Sequence, residues 1–231
     1  MTPKRVEGAV NSICSELALS FSHSPNWENR TESELFREMV ASILGSRVSF
    51  EIALVATDAL EKEGLLEHLE NESIYLKKLT EVLSRPLFSP EWPRLRRYRF
   101  PKVRANSISQ TSNAFYANGG NIRNWLKSFN EPTDARRGVI DKAHGIGPKQ
   151  ASMFLRNVGY SNELAILDSH VLRFMNFIGL IDEVEANIAT IRRYEHTESK
   201  FLNYAYKIGW SAGLLDQAVW IVMRVYQREL T

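Results

Sequence analysis

The chain reads VIDKAHGIGPKQASMFLRNVG from Val139 to Gly159, and the centre of this stretch is the segment HGIG at residues 144–147. Apolar residues at helical spacing lie on both sides of that segment. Its two glycines permit backbone angles closed to other residues and let another molecule approach the main chain closely. Pro148 follows, at a position where a helix tolerates a missing amide proton. The stretch therefore predicts two helices joined by a tight turn.

This turn is suited to binding a phosphate group. Free amides of the turn and of the following helix start are expected to point outward beside the positive end of the helix dipole. We therefore interpret the stretch as a helix-hairpin-helix motif, with His144, Gly145 and Gly147 as DNA-binding residues. The alternative is a helical hairpin whose glycines only turn the chain, which does not require the lysine two residues after the second glycine.

Two residues in and after the motif are candidates for catalysis. Lys149 lies in the first turn of the second predicted helix, where the helix dipole disfavours a cation. A partly desolvated lysine there should lose its proton more readily, and a neutral amine is a nucleophile. Asp168 follows the apolar run 164–167, where it suits a helix N-cap and also the stabilisation of positive charge on a sugar. For Lys149 the alternative is a simple phosphate contact.

The net charge of +2 over 231 residues hides a local concentration of cations. Residues 94–104 read RLRRYRFPKVR, with six cations and no acid. Tyr98 and Phe100 lie between these cations, which suits a surface that binds phosphates and stacks a base. We take Arg97, Arg99 and Lys102 as DNA-binding residues. The alternative is a solvated basic turn.

Composition excludes several other classes of protein. The single cysteine, Cys14, excludes disulfides within the chain, a zinc ribbon and a four-cysteine iron–sulfur cluster. The five histidines show no metal-ligand spacing, so we expect no metal site. No apolar run reaches the ~18 residues of a membrane helix, and the N-terminus has no secretory signal. We expect a monomer without membrane contact, in the cytoplasm and nucleoid-associated if the source is prokaryotic.

The spacing of apolar residues predicts an all-α fold of many short helices. Thr31 and Glu34 have the spacing of a capping box ahead of one helix. Leu164–Leu167 is the only β-like run, and it is too short to predict a sheet. The predicted helices cover Val6–Phe21, Leu35–Leu44, Ile52–Leu60, Ile74–Leu83, Ala105–Tyr116, Ile122–Phe129, Asn187–Lys207 and Ala212–Arg228.

Together with LDSHVLR at 167–173, the hairpin resembles the helix-hairpin-helix DNA glycosylase superfamily. Within it, the chain is most similar to the short, iron–sulfur-free 8-oxoguanine DNA glycosylase/AP lyases. Three further stretches agree, ILGSR at 43–47, RF at 99–100 and LDQAVW at 215–220. The resemblance implies two helical lobes with the motif at the cleft. One lobe is a barrel over 35–158 that ends in the motif at 139–158, and the other combines 1–34 with 159–231.

The resemblance implies a base-excision-repair enzyme, a DNA N-glycosylase that also cleaves abasic sites. Its partner is double-stranded DNA with a damaged base, which is flipped into the cleft. Lys149 forms a Schiff base with the sugar, Asp168 assists, and β-elimination nicks the strand without a metal or organic cofactor. The alternatives are an enzyme for a different lesion and a non-catalytic helix-hairpin-helix DNA-binding protein. A lysine Schiff-base enzyme for metabolites is disfavoured by the basic segment and by the absence of βα alternation.

The resemblance also assigns roles to residues outside the motif. Arg47 matches the residue that fills the space left by the flipped base, and Phe100, Trp220 and Asp216 match the base pocket. The alternatives are a surface cation, ordinary core aromatics and a cap for the last helix. The short family typically ends in a lysine, whereas this chain ends QRELT at 227–231, so a pocket for another lesion is the alternative.

Overall fold

A computed structural model describes residues 2–21, 26–67, 71–183 and 188–228, and these residues form eleven α-helices and one short pair of strands. The predicted all-α class is confirmed. The elements are α1 (Pro3–Phe21), α2 (Glu32–Leu44), α3 (Phe50–Lys62), α4 (Glu72–Ser84), β1 (Pro86–Leu87), β2 (Arg96–Arg97), α5 (Pro101–Tyr116), α6 (Ile122–Leu126), α7 (Pro132–Lys142), α8 (Pro148–Val158), α9 (Ser169–Phe177), α10 (Ile191–Ile208) and α11 (Ala212–Arg228). Single 3₁₀ turns cover Trp27–Asn29 and Ala117–Gly119.

The chain divides into two compact units. We call Asn26–Val158, which contains α2 to α8 and both strands, the hairpin unit. Met1–Pro25 together with Gly159–Thr231 contains α1 and α9 to α11, and we call it the aspartate unit. The predicted helix start at Asn187 and the chain end at 229–231 lie outside the described residues.

Helix α2 is the centre of the hairpin unit. Its start is fixed by the predicted capping box, in which Thr31 Oγ1 accepts from Glu34 N at 3.2 Å and Glu34 Oε2 accepts from Thr31 N at 2.6 Å. The backbone hydrogen bond from Thr31 lowers the pKa of Glu34. The helix packs against α3 and α8. Its fully buried large side chains each contribute about 2 kcal/mol of hydrophobic stabilisation, and they are Leu35, Phe36, Met39, Ile43 and Leu44.

The aspartate unit has its own core around α11, which packs against α1, α9 and α10. The predicted apolar stripe of α1 faces this core through Val6, Val10 and Cys14, whose exposed fractions are 1% or less. Burial raises the pKa of the Cys14 thiol to about 11, because the thiolate would lose its solvation. None of the described helices is both long and apolar enough to span a membrane.

The end of one helix was predicted wrongly, and the one short strand pair was not predicted. The run Leu164–Leu167 is extended but pairs with no strand among the described residues, and the one strand pair joins Pro86–Leu87 to Arg96–Arg97. Helix α6 ends at Leu126 instead of Phe129. The amides of Ser128 and Phe129 each bond the carbonyl three residues earlier, so the chain tightens into turns there.

Candidate functional site

Helices α7 and α8 form the predicted hairpin, and one of its glycines is required by the local conformation. Gly145 has a φ of +79°, and a Cβ there would lie 2.7 Å from Ser107 Oγ and 2.8 Å from Arg104 Nη1. Gly147 has no such constraint, since its Cβ would meet only Gln150 Oε1, at 3.6 Å. Of the two glycines, only Gly145 adopts the backbone angles that a glycine permits. At Gly147 the missing side chain leaves the main chain open to a ligand.

The hairpin turn is fastened to helix α5. The Thr111 hydroxyl accepts from His144 N at 2.9 Å, and Arg104 Nη1 donates to Gly145 O at 3.1 Å. Ile146 is buried beneath the turn, while the His144 side chain is exposed. These contacts hold the turn in one conformation and leave its outer face in solvent.

The start of α8 offers unpaired donors beside a lysine. The first hydrogen bond of this helix runs from Ala151 N to Gly147 O at 2.9 Å, so the amides of Lys149 and Gln150 precede the helical ladder. Lys149 itself is half-buried in the first turn. Donor groups at the positive end of an eleven-residue helix suit the binding of a DNA phosphate next to this amine.

Arg47 lies exposed in the turn after α2 and has a left-handed conformation with a φ of 63°. Among the described non-glycine residues only Asn118 shares this conformation, which is uncommon for side chains with a Cβ. The residues just before Arg47 are held in place, because Tyr98 Oη donates to Leu44 O at 2.7 Å and Arg104 Nη2 donates to Ser46 O at 3.4 Å. A backbone outlier that is held in this way is typical of functional sites, and here it carries an exposed arginine.

Two residues of the basic segment are buried, so the interpretation of the whole segment as a surface for phosphates and a stacked base was partly wrong. Tyr98 is 4% exposed and Arg104 9% exposed, and Tyr98 Oη and both Nη atoms of Arg104 donate to main-chain carbonyls. Neither is available to stack a base or to bind a phosphate. The reason is that Tyr98 turns inward after strand β2, and Arg104 lies on the inner face of α5.

Of the remaining cations of the segment, Arg96 is half-buried with its guanidinium 4.7 Å from the centre of the Trp92 ring, and the other four are exposed. Arg97, Arg99 and Lys102 make no ion pair with any described residue, and the Arg99 guanidinium lies 5.0 Å from the centre of the Phe100 ring. Phe100 is half-buried at the residue before α5. Arg104 and Tyr98, both in the basic segment, thus bond to the hairpin turn and to the turn that carries Arg47. These bonds connect the three parts of the hairpin unit.

In the aspartate unit, Asp168 is the N-cap of α9, as predicted. Its Oδ1 accepts from His170 N at 2.8 Å and from Val171 N at 2.9 Å. Its other carboxylate oxygen, Oδ2, takes part in neither capping bond. The aspartate is therefore held rigidly by one oxygen while the second can act on a substrate.

Three buried side chains bind the extended segment just before Asp168. Ala165 N donates to Glu198 Oε1 at 3.0 Å, Ile166 N to Asp216 Oδ2 at 2.8 Å, and Leu167 N to Tyr194 Oη at 3.0 Å. These bonds replace a partner strand, which explains why the β-like run joins no sheet. They also place Asp216, at 3% exposure, against the main chain. Since α11 begins at Ala212, the alternative of Asp216 as a helix cap is wrong.

Trp220 lies one turn after Asp216 on α11 and is 36% exposed. Its ring centre is 6.3 Å from that of His170 in an edge-to-face arrangement, and the Arg224 guanidinium lies 4.9 Å from the ring centre. Neither Trp220 nor the half-buried Phe100 is an ordinary core residue. Both aromatic surfaces have the partial exposure that stacking on a base requires. Their assignment to the base pocket stays a prediction.

The sequence model of the 8-oxoguanine DNA glycosylase family matches residues 19–210 of this chain. The chain belongs to the 8-oxoguanine DNA glycosylase family. An 8-oxoguanine DNA glycosylase/AP lyase of Thermotoga petrophila is 32% identical to it over 197 residues, which cover 85% of this chain and 83% of that protein.

Solved structures of this family agree. The 8-oxoguanine DNA glycosylase of Thermotoga maritima aligns with a TM-score of 0.71 at 29% identity, and the match covers 94% of this chain and 93% of that one. An 8-oxoguanine glycosylase/lyase of Methanocaldococcus jannaschii, solved with a 15mer DNA containing 8-oxoguanine, aligns with a TM-score of 0.65 at 24% identity, covering 94% and 88% of the two chains. The second likeness shows the fold alone.

The sequence of this 8-oxoguanine DNA glycosylase family member does not predict every residue that supports the site. The structural contacts of Arg104, Tyr194 and Glu198 join segments far apart in the chain, so no local motif marks them. One available signal is Glu198 itself, which shares a helical face with the apolar Tyr194 and Phe201. An acid on a core-facing stripe indicates a buried acceptor with a specific donor.

Proposed function

We propose that this protein is a bifunctional base-excision-repair enzyme that removes 8-oxoguanine from double-stranded DNA and cleaves the strand at the resulting abasic site. Family membership supports this function, and one observation carries the lyase step. Lys149 stands in the first turn of α8, directly after a hairpin turn whose main chain is fixed and open to a phosphate. An amine next to a bound backbone phosphate lies close to the sugar that it must attack.

Base removal requires the damaged nucleotide to leave the helical stack, because its glycosidic bond is out of reach within the duplex. The neutral Nζ of Lys149 attacks C1′ of the deoxyribose, and the C1′–N9 bond breaks with its electron pair passing to the base. The departing base takes up a proton. We assign Oδ2 of Asp168, the oxygen outside the capping bonds, to the stabilisation of positive charge on the sugar.

Strand cleavage follows from the bond between Lys149 and the sugar. Opening of the sugar ring gives a protonated Schiff base between Nζ and C1′, whose positive charge acidifies the hydrogens on C2′. Loss of one C2′ proton expels the 3′ phosphate as the C3′–O bond breaks, and water then hydrolyses the Schiff base to return the free amine. A glycosylase that used water as its nucleophile would form no such adduct and would not nick the strand by this route.

DNA binding is proposed to combine two kinds of contact. The amides at the start of α8 and the main chain at Gly147 receive one phosphate, while Arg97, Arg99 and Lys102 supply unpaired charges for others. We also propose that Arg47 enters the space left by the flipped base, a role supported by its exposed side chain on a turn of unusual backbone conformation. A monomeric state stays a prediction, as does a cytoplasmic, nucleoid-associated location if the source is prokaryotic.

A panel of duplexes, each with a single lesion, tests the proposed substrate. The panel contains 8-oxoguanine opposite each of the four bases, an abasic site, uracil and undamaged guanine, and base release and strand nicking are assayed side by side. We expect release and nicking at 8-oxoguanine, and nicking at the abasic site. Faster excision of another lesion would favour the alternative of an enzyme for a different lesion. Salt-sensitive binding without cleavage of any duplex would favour a non-catalytic binding protein.

A further inference from the structure

The segment Ala165–Leu167 is held in an unusual way. Its three consecutive amides donate to three different side chains, over 3.0, 2.8 and 3.0 Å, and none of these acceptors belongs to a strand. Tyr194 Oη also donates back to Ala165 O at 2.8 Å. Every main-chain donor of the segment is therefore satisfied by a side chain from elsewhere in the aspartate unit.

The acceptors are arranged as an extended chain requires. Successive amides of an extended segment point to opposite sides. Tyr194 and Glu198, four residues apart on one face of α10, serve Leu167 and Ala165 on one side. Asp216 of α11 serves Ile166, which lies between them, on the other side. The segment is thus held between α10 and α11 in a single register. We call its three acceptors, Tyr194, Glu198 and Asp216, the clamp.

Core stability does not explain these residues. Glu198 and Asp216 are each 3% exposed, and burying a carboxylate costs more than burying an apolar side chain of similar size. Polar groups that are retained in a core at such a cost are expected to fix a particular conformation. The conformation fixed here is that of the residues directly before Asp168.

The clamp reaches Asp168 through the main chain. Asp168 N donates to Ile166 O at 2.8 Å, so the clamped segment sets the position of the aspartate from its N-terminal side. The two bonds of Oδ1 to the start of α9 set it from the C-terminal side. We propose that Tyr194, Glu198 and Asp216 are positioning residues that aim Asp168 Oδ2 at the sugar, an inference that rests on the proposed function of Asp168.

Tyr194→Phe is the most discriminating variant, because Tyr194 is 1% exposed and cannot touch DNA. We expect an about ten-fold slower base excision in single-turnover assays, since small misplacements of a catalytic group are costly. DNA affinity should stay unchanged. Tyr75→Phe is the matched control, because Tyr75 is equally buried and its hydroxyl donates to Leu65 O in the hairpin unit. This control should lose stability without losing excision rate.

A double-mutant cycle with Asp168→Asn separates positioning from mere folding support. If Tyr194 acts through Asp168, adding Tyr194→Phe to Asp168→Asn lowers excision no further. An equal ten-fold loss in both backgrounds would overturn the proposal. Glu198→Gln keeps an oxygen that can accept from Ala165 N, so it should excise faster than Glu198→Leu, which keeps none. Equal losses from these two variants would also count against the proposal.

Amide hydrogen exchange tests the clamp independently of activity. The amides of residues 165–167 should be protected in the wild-type protein, and Tyr194→Phe should speed exchange at Leu167 while α10 and α11 keep their protection. Unprotected wild-type amides would overturn the proposal. A wild-type protein with protected amides but no excision of any base would contradict the proposed function and leave the clamp standing as a structural feature.

Discussion

Arg104 donates a 3.1 Å hydrogen bond from Nη1 to the main-chain oxygen of Gly145. Its Nη2 reaches Ser46 O at 3.4 Å, so one buried guanidinium joins the hairpin turn to the turn that carries Arg47. Arg104 belongs to the basic segment 94–104, but its side chain is buried and holds the hairpin turn and the Arg47 turn in place.

Replacing Arg104 by methionine should therefore affect stability and DNA binding together. The variant leaves the carbonyls of Gly145 and Ser46 without this donor, and we expect a loss of about 2 kcal/mol in the free energy of unfolding. DNA affinity should fall because the turns are no longer held together. Urea unfolding and equilibrium binding measure the two effects. Arg97→Met is the control, since Arg97 is exposed and should weaken binding without lowering stability.

Alanine at the two hairpin glycines should separate fold from binding. Gly145→Ala forces a Cβ into a φ of +79° and against Ser107 and Arg104, so it should cost about 1–3 kcal/mol of stability. Gly147→Ala meets only Gln150 Oε1 at 3.6 Å and should change stability by less than about 0.5 kcal/mol. Both should weaken DNA binding. Unchanged affinity in Gly147→Ala would show that no phosphate approaches the main chain there.

We expect DNA affinity to depend on salt through the exposed cations Arg97, Arg99 and Lys102. Removing one cation that neutralises a DNA phosphate should reduce the slope of log affinity against log salt by about 0.9. Arg97→Gln, Arg99→Gln and Lys102→Gln should each show this change on duplex DNA. Arg85→Gln is the matched control, because Arg85 is already paired with Glu63 at 2.7 Å. A slope that changes equally in the control would remove the basis for assigning phosphate binding to these three residues.

We expect the free energy of unfolding to fall at high pH because the Cys14 thiol is buried. Because burial raises the pKa of Cys14 from 9.0 to about 11, the folded state favours the neutral thiol. This stabilising contribution is complete below pH 9 and is lost as the pH rises through 11. Urea unfolding at pH 8 and pH 10.5 should show a smaller decline for Cys14→Ala than for the wild-type protein. Equal declines would mean that the thiol does not titrate in this way.

The sequence predicts features that depend on neighbouring residues. The capping box of Thr31 and Glu34, the helix start at Pro148 and the N-cap role of Asp168 each involve residues within a few positions, and all three are confirmed. Local hydrogen bonds set these features, so the spacing of residue types suffices to predict them.

Features that depend on distant partners were missed or misassigned. Tyr98 looked like a stacking residue within a basic run, but its hydroxyl partner lies 54 positions away, and the acceptor on Asp216 serves an amide 50 positions away. Whether a cation faces solvent or a carbonyl depends on which helix packs beside it. The charge and aromatic pattern carries no information about such a partner, so the inward role of Arg104 could only come from the structure.

Attack of Lys149 on the sugar would leave a Schiff base, which borohydride trapping detects. Reduction of the Schiff base should give a covalent adduct between the wild-type protein and a duplex containing 8-oxoguanine. Lys149→Gln should give no adduct and no nick while it still binds the duplex, and the exposed control Lys127→Gln should trap like the wild-type protein. A Lys149→Gln protein that traps and nicks at the wild-type rate would contradict the account.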